Sequence, residues 1–341
     1  MQHRHLNSDP AARIGYDKAC HQQTTARWAA AGIQASFMPH PLRNLSRHKQ
    51  ETMRALPLSA AVLLLVCVPL LAADRGAVTR YPAVIVYGDS YSDNGNDYRV
   101  LHWPGPPYWN GRFSNGPVAV EDLASTLGAP VFDFAWGGGT TGVGNVVDGG
   151  TAEQLGSRAL PGMTTALHNT EHSIPPSLFP TALWVVWGSP NDFASDGYSY
   201  ATADAAVQRV LAIVAELQLR GARYILVPGM FDLGVVPEYV VQGPQVVQWV
   251  RTLSMYFNQK LIAGLPRGVM YYNTFALYDR IVANPGAYGL TDVTDPCYNN
   301  GVVCAHPDQY LFWDDVHPTA PVHVLLGQRF YATATGSFPP P

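Results

Sequence analysis

The sequence predicts an α/β domain built on a doubly wound parallel sheet. Three observations point there: five apolar runs of strand length between residues 81 and 275, segments of helical period between them, and clusters of Gly, Asn, Asp and Ser directly after several runs. Strands buried on both faces read as continuous apolar stretches without polar alternation, and helices must then cover the two faces.

The runs are 81–88 (YPAVIVYG), 129–135 (APVFDFA), 181–188 (TALWVVWG), 223–229 (RYILVPG) and 269–275 (VMYYNTF). Each is rich in β-branched or aromatic residues and ends in or near a turn former. Helices are predicted at 117–127, where Pro117 suits a first turn, at 202–219 with Ala, Val and Leu on one face, at 244–263, and at 318–333. That makes about five βα units in one domain, and no repeat or low-complexity tract interrupts them.

Composition agrees: 341 residues, 47% hydrophobic and 13% charged, suit a globular enzyme with a sizeable core. Charge is unevenly placed. Residues 1–54 carry 8 Lys or Arg against 3 Asp or Glu, whereas 74–341 carry 13 against 22, a net charge of −9. A body of that sign repels nucleic acid.

Between these parts, Met53-Arg54 leads into an uncharged stretch, 55–73, that ends in Leu71-Ala72-Ala73. It reads as a signal peptide over 53–73, with a basic start, an apolar centre and a small-residue cleavage site. About 20 apolar residues also suffice for a membrane anchor, but Pro57 and Pro69 shorten the uninterrupted stretch. The expectation is therefore a secreted, extracellular protein without stable membrane association, an upstream extension (1–52) outside the fold, and a domain over 74–341. Of the four cysteines, Cys20 and Cys67 precede the cleavage site. Cys297 and Cys304 remain, and in an exported chain that pair suggests a disulfide closing a short loop.

Ligands of open parallel sheets bind beyond the carboxyl ends of the strands, so the residues there carry the functional reading. After the first run comes Gly88-Asp89-Ser90, where a glycine turn presents a hydroxyl at the end of a strand. Serine needs a base to become a nucleophile. His317 supplies one, with Asp314 three residues earlier in Trp313-Asp314-Asp315-Val316-His317-Pro318-Thr319. A carboxylate so placed can hold one ring nitrogen while the other faces the serine. Taken separately, Gly-Asp-Ser is an ordinary turn and Asp-x-x-His before Pro-Thr an ordinary helix start. Acyl transfer also needs donors for a developing oxyanion. The candidates are the N–H of Ser90, an N–H within Gly137-Gly138-Gly139, and the amide of Asn191.

Together these pieces resemble the GDSL or SGNH hydrolase family, in which Ser, Gly, Asn and His come from four blocks in that order. Gly88-Asp89-Ser90-x-Ser92-Asp93-x-Gly95-Asn96 resembles the first block, and Gly111-Arg112-Phe113-Ser114-Asn115-Gly116-Pro117 a stretch that often follows it. Phe134-Ala135-x-Gly137-Gly138-x-Thr140-Thr141 resembles the second, Asn191-Asp192 the third, and Phe312-Trp313-Asp314-x-x-His317-Pro318-Thr319 the last. The resemblance covers about 81–335 and implies a flavodoxin-like three-layer α/β/α sandwich with no cofactor and no metal. It implies Ser90 as nucleophile, Asp314 and His317 as acid–base pair, and Ser90, Gly138 and Asn191 as oxyanion donors. Two departures stand out: Gly188-Ser189-Pro190-Asn191-Asp192 holds one residue more than the usual Gly-x-Asn-Asp, and Tyr91 replaces the usual leucine.

The loop Trp103-Pro104-Gly105-Pro106-Pro107-Tyr108-Trp109 is similar to that of fungal secreted acetyl esterases, which implies a short-chain ester, carried by plant cell-wall carbohydrate or another small molecule. Its aromatic faces suit sugar stacking, or else simply pack a proline-rich loop. The family also contains lipases and phospholipases acting on longer acyl chains. Two rivals lie outside this chemistry. His168-Asn169-Thr170-Glu171-His172 fits a zinc-peptidase pattern, but Pro175-Pro176 follows at once. A scaffold kept only for binding is opposed by the joint presence of Ser90, Gly138, Asn191, Asp314 and His317.

Overall fold

The structure is a computed structural model and describes residues 81–337; the expected signal segment and upstream extension lie outside the described residues. Five parallel strands, β1 (Val84–Gly88), β2 (Val131–Asp133), β3 (Leu183–Trp187), β4 (Tyr224–Pro228) and β5 (Met270–Tyr272), form one sheet in the order β2-β1-β3-β4-β5. The chain leaves β1 in one direction to reach β2, then returns past β1 to β3. Right-handed crossovers put α2 (Ala119–Leu127), between β1 and β2, on one face. They put α5 (Tyr200–Leu219) and α7 (Pro244–Gly264), which follow β3 and β4, on the other. The last long helix, α9 (Ala320–Thr335), packs on α2, while α5 packs on α7. The predicted three-layer sandwich is the fold.

Every residue of β1 and β3 is buried, which is why VIVYG and LWVVW carry no alternation. Trp184 and Trp187 fill this centre and still satisfy their indole N–H groups, donating to the carbonyls of Phe179 and Gly229 at 3.2 and 3.1 Å.

The strands are shorter than the apolar runs, and side chains end them. Asn96, at the start of α1 (Asn96–Leu101), donates to the carbonyls of Asp133 and Ala135, closing β2 at Asp133. Asn273 accepts from the N–H of Ala276 and so caps α8 (Thr274–Ala283) where the fifth run was expected to continue. Helices α3 (Met163–Thr170), α4 (Pro190–Asp196), α6 (Pro237–Val240) and α8 were not predicted; most are short, with too few turns to display a period.

Past α8 the chain adds two small sheets. Strand β6 (Asp292–Pro296) pairs with β9 (Tyr310–Phe312), and β7 (Tyr298–Asn299) with β8 (Val302–Val303) in a hairpin. A Cys297–Cys304 disulfide brackets that hairpin.

Candidate active site

The strand order reverses between β1 and β3, and the crevice beyond the carboxyl ends of strands at such a switch point is where ligands bind. Gly88 closes β1 there. A Cβ at this position would lie 2.5 Å from the Trp187 carbonyl oxygen, so the close approach of β1 to β3 demands glycine. The N–H groups of Ser92 and Asp93 then donate to the Asp89 carbonyl at 3.0 Å, and the Asp89 carboxylate accepts from the Tyr91 N–H. This tight turn holds Ser90 at the mouth of the crevice.

Asp314 folds the opposing loop around itself. Its Oδ1 accepts from the N–H groups of Val316 (2.9 Å) and His317 (2.6 Å), and Trp313 N–H donates to the His317 carbonyl at 2.7 Å. The turn leaves His317 Nδ1 2.8 Å from Asp314 Oδ2. With the Nδ1 proton directed at the carboxylate, Nε2 accepts from the Ser90 hydroxyl, 2.8 Å away. Burial alone would raise the Asp314 pKa, yet the charge and hydrogen bonds of His317 and the Val316 N–H outweigh it and hold the carboxyl below its ordinary value. Ser90, His317 and Asp314, from opposite ends of the domain, thus form one chain of hydrogen bonds.

The glycine loop after β2 is placed by the first block. Asp93 is buried; its Oδ1 accepts from Gly95 and Asn96, and its Oδ2 accepts from the N–H of Gly137 at 2.9 Å. Gly138 follows with φ 72°, and a Cβ there would meet Val147 Cγ2 at 2.5 Å and Asn145 Oδ1 at 2.6 Å. Glycine is thus required on conformational and steric grounds. Asn191 lies in the first turn of α4 and donates from Nδ2 to the Gly139 carbonyl at 3.0 Å. The extra residue before it is absorbed in the approach to α4, and the amide still reaches the glycine loop. Asp192 adds a second tie, accepting from the Thr141 N–H and hydroxyl and pairing with Arg209 at 3.0 Å.

Sequence reasoning missed several contributors. Asp93 and Asn96 were read as motif letters, although an Asp two residues before Gly is an Asx-turn signal. Tyr91 stands in the sequence only as a replacement for the usual leucine, yet its hydroxyl donates to the Val316 carbonyl at 2.8 Å while its ring stacks on Phe231. Tyr108 donates to Asp314 Oδ2 at 2.8 Å, a contact across 206 positions that leaves no local signal.

The other histidines go elsewhere. His323 is buried, accepts from the Ala119 N–H at 3.1 Å, and has its pKa pushed down to about 3 by burial and by the charge of His317. His168 lies beside Glu216 at 3.2 Å and Glu171 pairs with Arg220, so the side chains of the zinc-like pattern have structural partners. His172 is exposed. Trp103 packs edge-on against Phe113, whose ring is 5.1 Å from that of His317. Trp109 is exposed, with Arg112 over its face.

Residues 84–330 match the model of the GDSL-like Lipase/Acylhydrolase family. A GDSL esterase/lipase of Arabidopsis thaliana is 26% identical, with 73% of this chain and 88% of the relative covered. A phosphatidylcholine-sterol acyltransferase of Aeromonas hydrophila is also 26% identical, over 77% of this chain and 92% of the relative. Among solved structures, a putative GDSL-like lipase from Parabacteroides merdae superposes with a TM-score of 0.41 at 13% identity, covering 77% of this chain and 99% of that one.

Proposed function

We propose, from the premise that this chain belongs to the GDSL-like lipase/acylhydrolase family, that it is an exported serine esterase cleaving short acyl esters, acetate above all, on a carbohydrate such as that of plant cell walls. Membership makes it a carboxylic ester hydrolase. The observation that carries the mechanism is the 2.8 Å contact between Ser90 Oγ and His317 Nε2, with Asp314 on the far side of the ring.

In this reading Ser90 attacks the ester carbonyl while His317 Nε2 takes its proton, and Asp314 stabilises the imidazolium that results. The charge that develops on the carbonyl oxygen is met by the N–H groups of Ser90 and Gly138 and by the Asn191 amide. Collapse expels the alcohol with the proton from His317 and leaves an acyl-Ser90. Water, deprotonated by the same histidine, then releases the acid and regenerates Ser90. No metal or cofactor takes part in this scheme. The carbohydrate preference draws its support from the aromatic 103–109 loop, which abuts the site through Trp103 and Tyr108 and exposes Trp109 at its rim. Export rests on the expected signal segment.

The test has two arms. A fluorophosphonate probe should label Ser90 in the native enzyme, and Ser90→Ala should abolish both labelling and hydrolysis of p-nitrophenyl acetate. Wild-type-like turnover by that variant would refute the mechanism, as would loss of activity with EDTA and its return with zinc. Esters of two to four carbons should outpace those of eight or more; a preference for long chains or phospholipid would move the assignment to lipase.

A further inference from the structure

Asp314 accepts from four donors, the N–H groups of Val316 and His317, the His317 imidazole and the Tyr108 hydroxyl, and the last of these comes from a distant loop. The Tyr108 hydroxyl reaches Oδ2, the same oxygen that stands 2.8 Å from His317 Nδ1. Its direction is fixed by the ring, which lies edge-on to Tyr298 and to Trp313 with centroids 5.6 and 6.1 Å away. Tyr298 belongs to the disulfide-bracketed hairpin and itself stacks on Trp313, the residue before Asp314.

We infer that Tyr108 is a positioning residue for the reaction: its hydroxyl fixes Asp314 Oδ2 against the His317 ring and draws off part of the charge that this oxygen presents to Nδ1. The inference rests on the serine-esterase reading and adds a residue to it. A hydrogen bond donated to a carboxylate lowers the charge density left for its other partner. Without the Tyr108 hydroxyl, Asp314 would stabilise the imidazolium more strongly in the resting enzyme and orient the ring less well. The first effect takes the base out of action at a higher pH, and the second lowers turnover even where the base is free.

The experiment is Tyr108→Phe, which keeps the ring and its contacts, assayed as kcat and KM on p-nitrophenyl acetate across pH 5 to 9. In the variant kcat should fall about tenfold with KM nearly unchanged, the size expected for one hydrogen bond to a charged group. The acidic limb of the kcat/KM profile should move upward by about half a unit. The neighbouring titratable groups, Asp89 in the serine turn, Tyr91, Asp315, Glu238 beside that loop and His323 on α9, are the same in both proteins, so the shift reads the Tyr108–Asp314 pair. An acidic limb that stays in place overturns the proposal even if kcat drops, because loss of packing slows turnover without moving the limb. In an Asp314→Asn background, Tyr108→Phe should have no further effect on kcat; a fully additive loss overturns the proposal equally. Fluorophosphonate labelling separates the two levels. Labelled Ser90 with an unmoved limb defeats the role of Tyr108 alone, whereas an unlabelled wild-type enzyme defeats the serine-esterase reading beneath it.

Discussion

The Tyr91 hydroxyl donates to the carbonyl of Val316 at 2.8 Å, tying the residue after the candidate nucleophile to the residue before the candidate base. The ring that carries it is buried between Phe231, stacked at 4.5 Å, and Trp187, edge-on at 5.5 Å, so the hydroxyl has little freedom to wander. A tyrosine at this position does what a leucine could not: it links the two halves of the site by a directional bond.

Removing that bond should cost both stability and rate. Tyr91→Phe leaves a part-buried carbonyl without its donor, and the expected loss of folding stability is about 1 kcal/mol. Turnover should fall while KM stays close to wild type, since the bond sets the placement of His317 and touches no substrate. Urea denaturation and steady-state kinetics on the same preparation check both; unchanged kcat would mean that the Val316 loop is held by Asp314 alone.

The disulfide should matter to activity before it matters to the fold. Cys297 and Cys304 are seven positions apart, and closing so short a loop is worth about 2–3 kcal/mol in the chain-entropy model. Cys297 N–H and Tyr298 N–H donate to the carbonyls of Phe312 and Trp313, directly upstream of Asp314. Loosening the hairpin therefore loosens the approach to the acid–base pair, and small displacements of catalytic groups are costly. With reductant titrated in, turnover should decline ahead of the circular dichroism signal. Coincident loss of the two would assign the bond a purely global role.

A buried carboxyl under the glycine loop predicts a pH dependence of stability. Asp97 is fully buried with both oxygens unpartnered, and burial followed by the charge of Asp93 pushes its pKa up to about 9. Because the folded value lies above the unfolded one, the native state holds the extra proton. Its contribution to stability is complete at pH values below the ordinary carboxylate range and is lost as pH rises toward about 9. Asp97→Asn keeps the shape and abolishes the titration, so its Tm should fall less steeply than that of the wild type between pH 6 and 9. Parallel Tm profiles would show that Asp97 does not carry the proton.

How much of this was legible beforehand differs from residue to residue. Val84–Gly88 and Leu183–Trp187 were readable as strands because burial on both faces leaves its mark on every side chain of the run. Met270–Tyr272, at the sheet edge and only half buried, kept a weaker mark, and its end was misjudged because the Asn273 cap was not weighed. Ser90, Asp314 and His317 stood out through turn chemistry and order along the chain. Tyr108 did not, since its partner lies 206 positions away.

The sequence by itself determined the layers of this protein and the short segments able to carry chemistry, because hydrophobic runs and turn residues are local properties. Only the tertiary structure decided the strand order β2-β1-β3-β4-β5, and with it which segments meet. The reversal between β1 and β3 brings the Ser90 turn, the Gly138 loop and Asn191 to one crevice, while the packing of α9 on α2 delivers His317 to the same place. The hydrogen bonds that then fix the site, from Gly137 to Asp93, Tyr91 to Val316 and Tyr108 to Asp314, join residues far apart in the chain. Their distances are set by how helices and loops settle on the sheet, a property of the packed whole that no window of sequence contains.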